Sequence, residues 1–106
     1  MQNKLARTQK RIAKIKQELV KIGEMRPGSL SVQYQKPEEK KGSSYQISYT
    51  HHMKSKTQHV RMEFVRQIEK EIKSYKKFKA LTIEWVDLAI EHSILKIEIA
   101  KKSQKE

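Results

Sequence analysis

Three hydrophobic periods follow one another along this chain. Leu5, Thr8, Ile12, Ile15, Leu19 and Ile22 recur in alternating steps of three and four, which gathers them into one seam of a helix. Asn3 can cap this helix, and Gly23 with Arg26-Pro27-Gly28 ends it, so a helical segment is expected within residues 3–25 and is regular to about Ile22. From Leu30 the period falls to two. Leu30, Val32 and Tyr34 alternate with Ser31, Gln33 and Gln35, and Tyr45, Ile47 and Tyr49 alternate with Gln46, Ser48 and Thr50. Each run reads as a half-buried strand. Residues 37–44 between them have no apolar side chain and are expected to form a loop. A polar turn is expected over residues 51–56, around Lys54-Ser55, followed by a third strand from Thr57 to Met62 with Val60 and Met62 facing inward. Residues 29–62 are thus predicted to be a three-stranded antiparallel meander.

The helical period then returns and holds from about Glu63 to Lys102 without a glycine or proline. One stripe contains Val65, Ile68, Ile72, Tyr75, Phe78, Leu81, Trp85, Leu88, Leu95 and Ile99, with His92 filling its gap. A second, Ile83, Val86, Ile90, Ile94 and Ile97, begins only after residue 80. Two apolar faces call for two partners. The change of spacing predicts one long helix or two helices, with a break or bend favoured at 74–82. The expected fold is α+β: a long N-terminal helix, a small meander and a long C-terminal helical segment that pairs with the first helix like a coiled coil. Its 106 residues suit a single domain near the size where burial alone is marginal, so self-association is expected to help. The second stripe is the expected homodimer seam, with the Trp85 stripe as the other choice; the alternative is that both stripes are the inside of one compact monomer.

Charge adds a partner class. The chain carries 24 basic and 12 acidic residues, a formal +12. Residues 1–26 hold eight Lys/Arg against two Glu, whereas Glu84, Asp87, Glu91 and Glu98 make the last helix acidic over part of its length. The two helices are therefore complementary in charge and expected to pack antiparallel. The cationic excess attracts polyanions by steering and counterion release, which points to nucleic acid, DNA or RNA. A membrane surface fits less well, because the first helix offers aliphatics at packing distance rather than bulky aromatics. No run approaches the length of a signal-peptide core or a membrane span, so a cytoplasmic protein is expected.

Candidate phosphate contacts are Arg7, Lys10, Arg11 and Lys14 on the first helix, with Lys21 beyond them. Lys36, Lys40, Lys41, Lys54, Lys56 and Arg61 supply others on the meander's loops and ends. Backbone contact is the expected mode, since a heptad seam within the basic helix is unlike a free major-groove reading helix. Tyr34, Tyr45 and Tyr49 can stack on bases, but their strict alternation favours a place in the core, facing the helices. Lys70, Lys73 and Lys77 share helical spacing and can form a further ridge. His51, His52, His59 and His92 lack neighbouring carboxylates or thiols at ligand spacing, so no metal is expected. They read as polar hairpin residues. The chain has no cysteine, hence no disulfide or thiolate zinc site. Neither a Gly-rich phosphate loop nor a nucleophile-base arrangement occurs, and neither catalysis nor a cofactor is expected.

The run Met25-Arg26-Pro27-Gly28-Ser29-Leu30, then Tyr34, Tyr45-Gln46-Ile47-Ser48-Tyr49 and a Lys-containing turn before a long helix, resembles a group of short archaeal and bacterial proteins without an assigned activity. Some of these are encoded beside transposases or other mobile elements. Their helix, Met-x-x-Gly-Ser-Ile/Leu segment, paired-tyrosine strand and terminal helix correspond loosely to residues 10–100 here. Many carry a cysteine knuckle between the first two strands. Here residues 37–44 contain no cysteine, so a metal role does not transfer. What the resemblance implies is a mobile-element setting and no mechanism.

The leading expectation is a non-enzymatic nucleic-acid-binding accessory protein, dimeric through its helices and holding phosphates with little sequence preference. The alternative is a helical interaction module docking on a larger acidic partner such as a recombinase or replication protein, with the lysines serving solubility and steering.

Overall fold

A computed structural model describes the backbone of residues 2–36 and 41–105 and the side chains of residues 3–32 and 44–104. The elements are helix α1 (Gln2–Val20), strands β1 (Ser29–Lys36), β2 (Lys41–His51) and β3 (Lys54–Val60), a single 3-10 turn (Met62–Phe64) and helix α2 (Val65–Lys105). This is the expected α+β order. Contacts divide the chain into two compact units: residues 23–76, and residues 1–22 together with 77–106.

In the first unit the sheet runs β1-β2-β3 with both pairs antiparallel. The register aligns Leu30, Ile47 and Gln58, and next to them Val32, Tyr45 and Val60, so these share one face. Against that face lie Val65, Ile68 and Ile72 of α2, each nearly buried, and Leu30 and Tyr45 pack partly on the same cluster. Ile47 is its centre, fully buried. The opposite face carries Ser29, Ser31, Gln46, Ser48, Thr57 and His59, polar side chains that can face water. Gly28 is required where β1 begins: its φ is +146° and an added Cβ would stand 2.7 Å from Ile47 Cγ1.

Several boundaries depart from the periodicity. Strand β2 begins at Lys41, not after a loop reaching Ser44, because Lys36 pairs with Lys41 and Tyr34 with Ser43 in the ladder. The loop expected at 37–44 lies outside the described residues over 37–40. The turn falls at His52–Met53 rather than around Lys54-Ser55, since His51 pairs directly with Lys54, leaving two residues to reverse the chain. Consequently β3 starts three residues earlier than expected and ends at Val60. Val60 is buried as expected, but Met62 sits past the ladder in the 3-10 turn and is 69% exposed.

In the second unit α1 packs antiparallel on the 77–105 stretch of α2. Ile15 is fully buried and Thr8 nearly so, its hydroxyl donating to the Lys4 carbonyl at 2.8 Å. This internal bond lets a hydroxyl sit in an apolar seam. Leu81 and Leu95 are the buried residues that α2 contributes. α1 ends at Val20, before the expected limit. Tighter i to i+3 bonds from Lys21 N to Glu18 O and Ile22 N to Leu19 O close it ahead of Gly23. α2 is unbroken through residues 74–82, where a break was favoured. With neither glycine nor proline, nothing interrupts its ladder. The boundary between the compact units nevertheless falls between Lys76 and Lys77, so the altered spacing marks a change of packing partner along one helix.

Gly28→Ala forces both a left-handed backbone and a clash at the centre of the sheet core. It is expected to cost about 2–4 kcal/mol, read as a lowered urea midpoint. A loss below about 0.5 kcal/mol would contradict the close approach at Ile47.

Candidate nucleic-acid interface

The circumference of α1 is divided by its seam. With Leu5, Thr8, Ile12, Ile15 and Leu19 turned toward α2, Arg7, Lys10 and Lys14, spaced three and four apart, share the side turned away from it, Arg7 at the edge where it also lines a groove with Leu88 and Glu91 of α2, and Lys21 continues the line just past the helix end. All four are exposed, and their side chains have no ion-pair partner among the described residues. From Arg7 to Lys21 the line spans about 21 Å at ~1.5 Å per residue step, comparable to roughly six phosphates along one strand. Asn3 and Gln9 stand beside Arg7 and Lys10 around a shallow depression floored by Ala6 and Ala13. Amide and cationic donors are therefore presented together.

Arg11 has another task. Its guanidinium donates two hydrogen bonds to the Glu84 carboxylate, from Nε at 2.5 Å and from Nη2 at 2.8 Å, a bidentate clamp between α1 and α2. These hydrogen bonds hold the Glu84 carboxyl below the usual carboxylate range, against an opposing effect of desolvation, and push Arg11 further up. Two more contacts fix the same helix pair: Gln9 Nε2 and His92 Nε2 lie 3.2 Å apart, and Lys16 Nζ lies 5.3 Å from the Trp85 ring centroid. The acidic stretch thus takes up cations at one edge of α1 and leaves the far side free.

In the sheet unit the β2–β3 hairpin is the second cationic feature. Every side chain from Thr50 to His59 is exposed, including Lys54 and Lys56. Cross-strand hydroxyl pairs, Ser48 with Thr57 at 3.3 Å and Thr50 with Ser55 at 3.0 Å, tie the two strands together beyond the core. The turn is unusual in composition. His52 and Met53 both have left-handed backbones, φ 52° and 64°, at positions where asparagine and glycine are usual. Each costs roughly 1–2 kcal/mol. Met53, at the apex, is 99% exposed.

Other expected contacts are redirected. Arg61 is paired with Glu63 at 3.0 Å. Lys40 lies outside the described residues, as do the side chains of Lys36, Lys41 and Tyr34, although the backbones of Lys36 and Lys41 pair with each other. Tyr45 packs on the core, and Tyr49 is half-buried beneath Arg26, whose guanidinium lies 5.2 Å from the ring and donates to Gln58 Oε1 at 3.2 Å. Stacking on bases is thus closed to Tyr45. Neither Arg26 nor Met53 stands out in the sequence; Arg26 is one cation among 24, and Met53 acquires meaning only from the turn that exposes it. Among the described residues no group of three or more His, Cys, Asp or Glu could hold a metal ion, and no helix is long and apolar enough to cross a membrane.

Because Glu84 is held lower in the folded chain than in the unfolded one, the clamp stabilises fully above the unfolded carboxylate's range. That contribution is lost as pH falls through the folded value. Acid titration of Tm from about pH 5 to pH 2 should show a steeper loss for the native chain than for Glu84→Gln, and equal slopes would contradict the clamp. A scan against protein-family models, a search of curated proteins and a search of solved structures each return no match. Function is therefore to be read from the chain's own chemistry.

Proposed function

We propose that this protein is a non-enzymatic nucleic-acid-binding accessory protein that grips phosphates, DNA or RNA, with little preference for sequence. The observation that carries the reading is the exposed line of Arg7, Lys10, Lys14 and Lys21, opposite the buried seam of α1. Cations on a helix whose rotation is fixed by packing lose little further freedom on binding, so their attraction to phosphates is less offset by ordering. Lys54 and Lys56 add a second, separate set of phosphate donors on the hairpin. Arg11 is left out of the interface, because drawing it to a phosphate would strip Glu84 of its partner.

A second copy completes the helical unit. Ile83, Val86, Ile90, Ile94 and Ile97 lie on the far side of α2 from the α1 seam and remain 58%, 58%, 56%, 51% and 53% exposed. Isoleucines 83, 90 and 97 recur every seven residues, the repeat of one core position of a coiled coil. One edge of the stripe carries Asp87, Glu91 and Glu98, and the other carries Thr82, Ala89, Ser93 and Ala100. An antiparallel two-fold would set acids against acids, whereas a parallel one sets the acidic edge against the small uncharged edge. Burying the remaining half of five such side chains on each copy yields about 10 kcal/mol in gross terms. Association costs a similar amount, ~4–15 kcal/mol, so a weak, concentration-dependent dimer is expected.

Two measurements check these statements. The triple variant Arg7→Gln/Lys10→Gln/Lys14→Gln should fold normally, bind duplex and single strands at least tenfold more weakly at ~100 mM salt, and reduce the slope of log K against log salt by about 2–3. An unchanged slope, or absence of binding by the native chain, defeats the phosphate reading. For the dimer, light scattering should show mass rising with concentration for the native chain and staying monomeric for Ile90→Asp. A native chain that is monomeric at millimolar concentration contradicts the seam.

A further inference from the structure

The hairpin tip has a property that phosphate binding does not require. A two-residue turn is most easily built from asparagine and glycine, yet this one uses His52 and Met53, both with positive φ. Its most exposed position holds an unbranched apolar side chain with 99% of its surface in water. The tip is also braced: the Thr50–Ser55 hydroxyl pair at 3.0 Å lies just below it, and the His51 and His52 rings are 3.9 Å apart. Lys54 follows the methionine directly, pairs across the ladder with His51, and is followed two residues later by exposed Lys56. An apolar point is thus carried on a narrow two-stranded ribbon with cations immediately behind it.

We infer that the β2–β3 tip enters the minor groove of duplex DNA and wedges Met53 against a base step, with Lys54 and Lys56 on the flanking phosphates. This rests on the nucleic-acid reading and deepens it. Apolar wedges from the minor groove partly unstack a step and kink the duplex toward the major groove, and methionine is one of the side chains that serves. Its flexible thioether stem can slide between bases without a preformed shape. Left-handed backbone at both turn residues is a local strain of the kind found at functional contacts. A lipid surface is a poorer occupant: one methionine among hydroxyls, histidines and lysines offers too little apolar area for interfacial anchoring. The wedge favours readily unstacked pyrimidine–purine steps without reading base identity through hydrogen bonds.

Bending of a 25-base-pair duplex labelled at both ends, followed by energy transfer while the protein is titrated, tests the wedge. The native chain should shorten the end-to-end distance as it binds. Met53→Ala should leave Tm unchanged, lower affinity by less than about tenfold, and abolish the shortening. His52→Asn/Met53→Gly, which suits the turn, should raise Tm and abolish it as well, separating the wedge from any need of the fold for those residues. Native-chain binding without bending, or bending retained by Met53→Ala, overturns this inference while leaving the phosphate reading intact. Failure of the native chain to bind nucleic acid overturns both. Partition of the native chain into anionic phosphatidylglycerol vesicles that is lost in Met53→Ala, with no bend in DNA, assigns the tip to a lipid surface and overturns the wedge.

Discussion

The seam between α1 and α2 decides where the charge on this protein points. An isolated 19-residue helix with six lysine and arginine side chains crowded along it against one glutamate would be marginal in water, and its cations would have no fixed direction. Burial of Ile15, Thr8 and their neighbours supplies the missing stabilisation. It also fixes the rotation of α1 about its axis, so that Arg7, Lys10 and Lys14 necessarily face away. The Arg11–Glu84 clamp strengthens this choice, because it ties one edge of α1 to the acidic stretch of α2. Cationic display is thus a consequence of hydrophobic packing, and its geometry is set by the aliphatic residues.

A related constraint acts on α2. Its 41 residues serve the sheet through Val65, Ile68 and Ile72, then serve α1 through Leu81, Trp85, Leu88 and Leu95. Only in the latter stretch does a second aliphatic stripe appear, the one left half in water. Five β-branched residues held at that exposure are a standing incentive to associate, since a scattered exposed leucine is ordinary but a continuous stripe is not. The proposed dimer and the proposed polyanion binding would support each other: two copies joined along α2 would engage one polyanion with doubled contacts.

Much of this was legible in the residues. The three-four spacing marks α1, the two-residue alternation marks the strands, and charge complementarity pairs the helices. What periodicity could not place were features that depend on register. Lys54-Ser55 looks like a turn by composition, but pairing of Tyr45 with Val60 and Ile47 with Gln58 moves the reversal to His52–Met53. Strand β2 likewise extends back to Lys41 because β1 is there to pair with it, although the sequence itself is polar. The unbroken α2 shows the opposite error: a shift in apolar spacing signals a new partner as readily as a break.

The candidate site residues divide in the same way. Arg7 and Arg11 are identical side chains one turn apart, and composition ranks them equally. Only the position of Glu84 turns one into a structural clamp and leaves the other exposed. Arg61 is similarly engaged by Glu63, and Arg26 by the ring of Tyr49. The most direct test of the account is lysine footprinting: acetylation of the native chain, with and without duplex or single-stranded nucleic acid, quantified residue by residue. Strong protection of Lys10, Lys14 and Lys54, with Lys101 and Lys102 labelled as before, is the predicted result. Uniform labelling unaffected by nucleic acid, or protection confined to the C-terminal lysines, would contradict it.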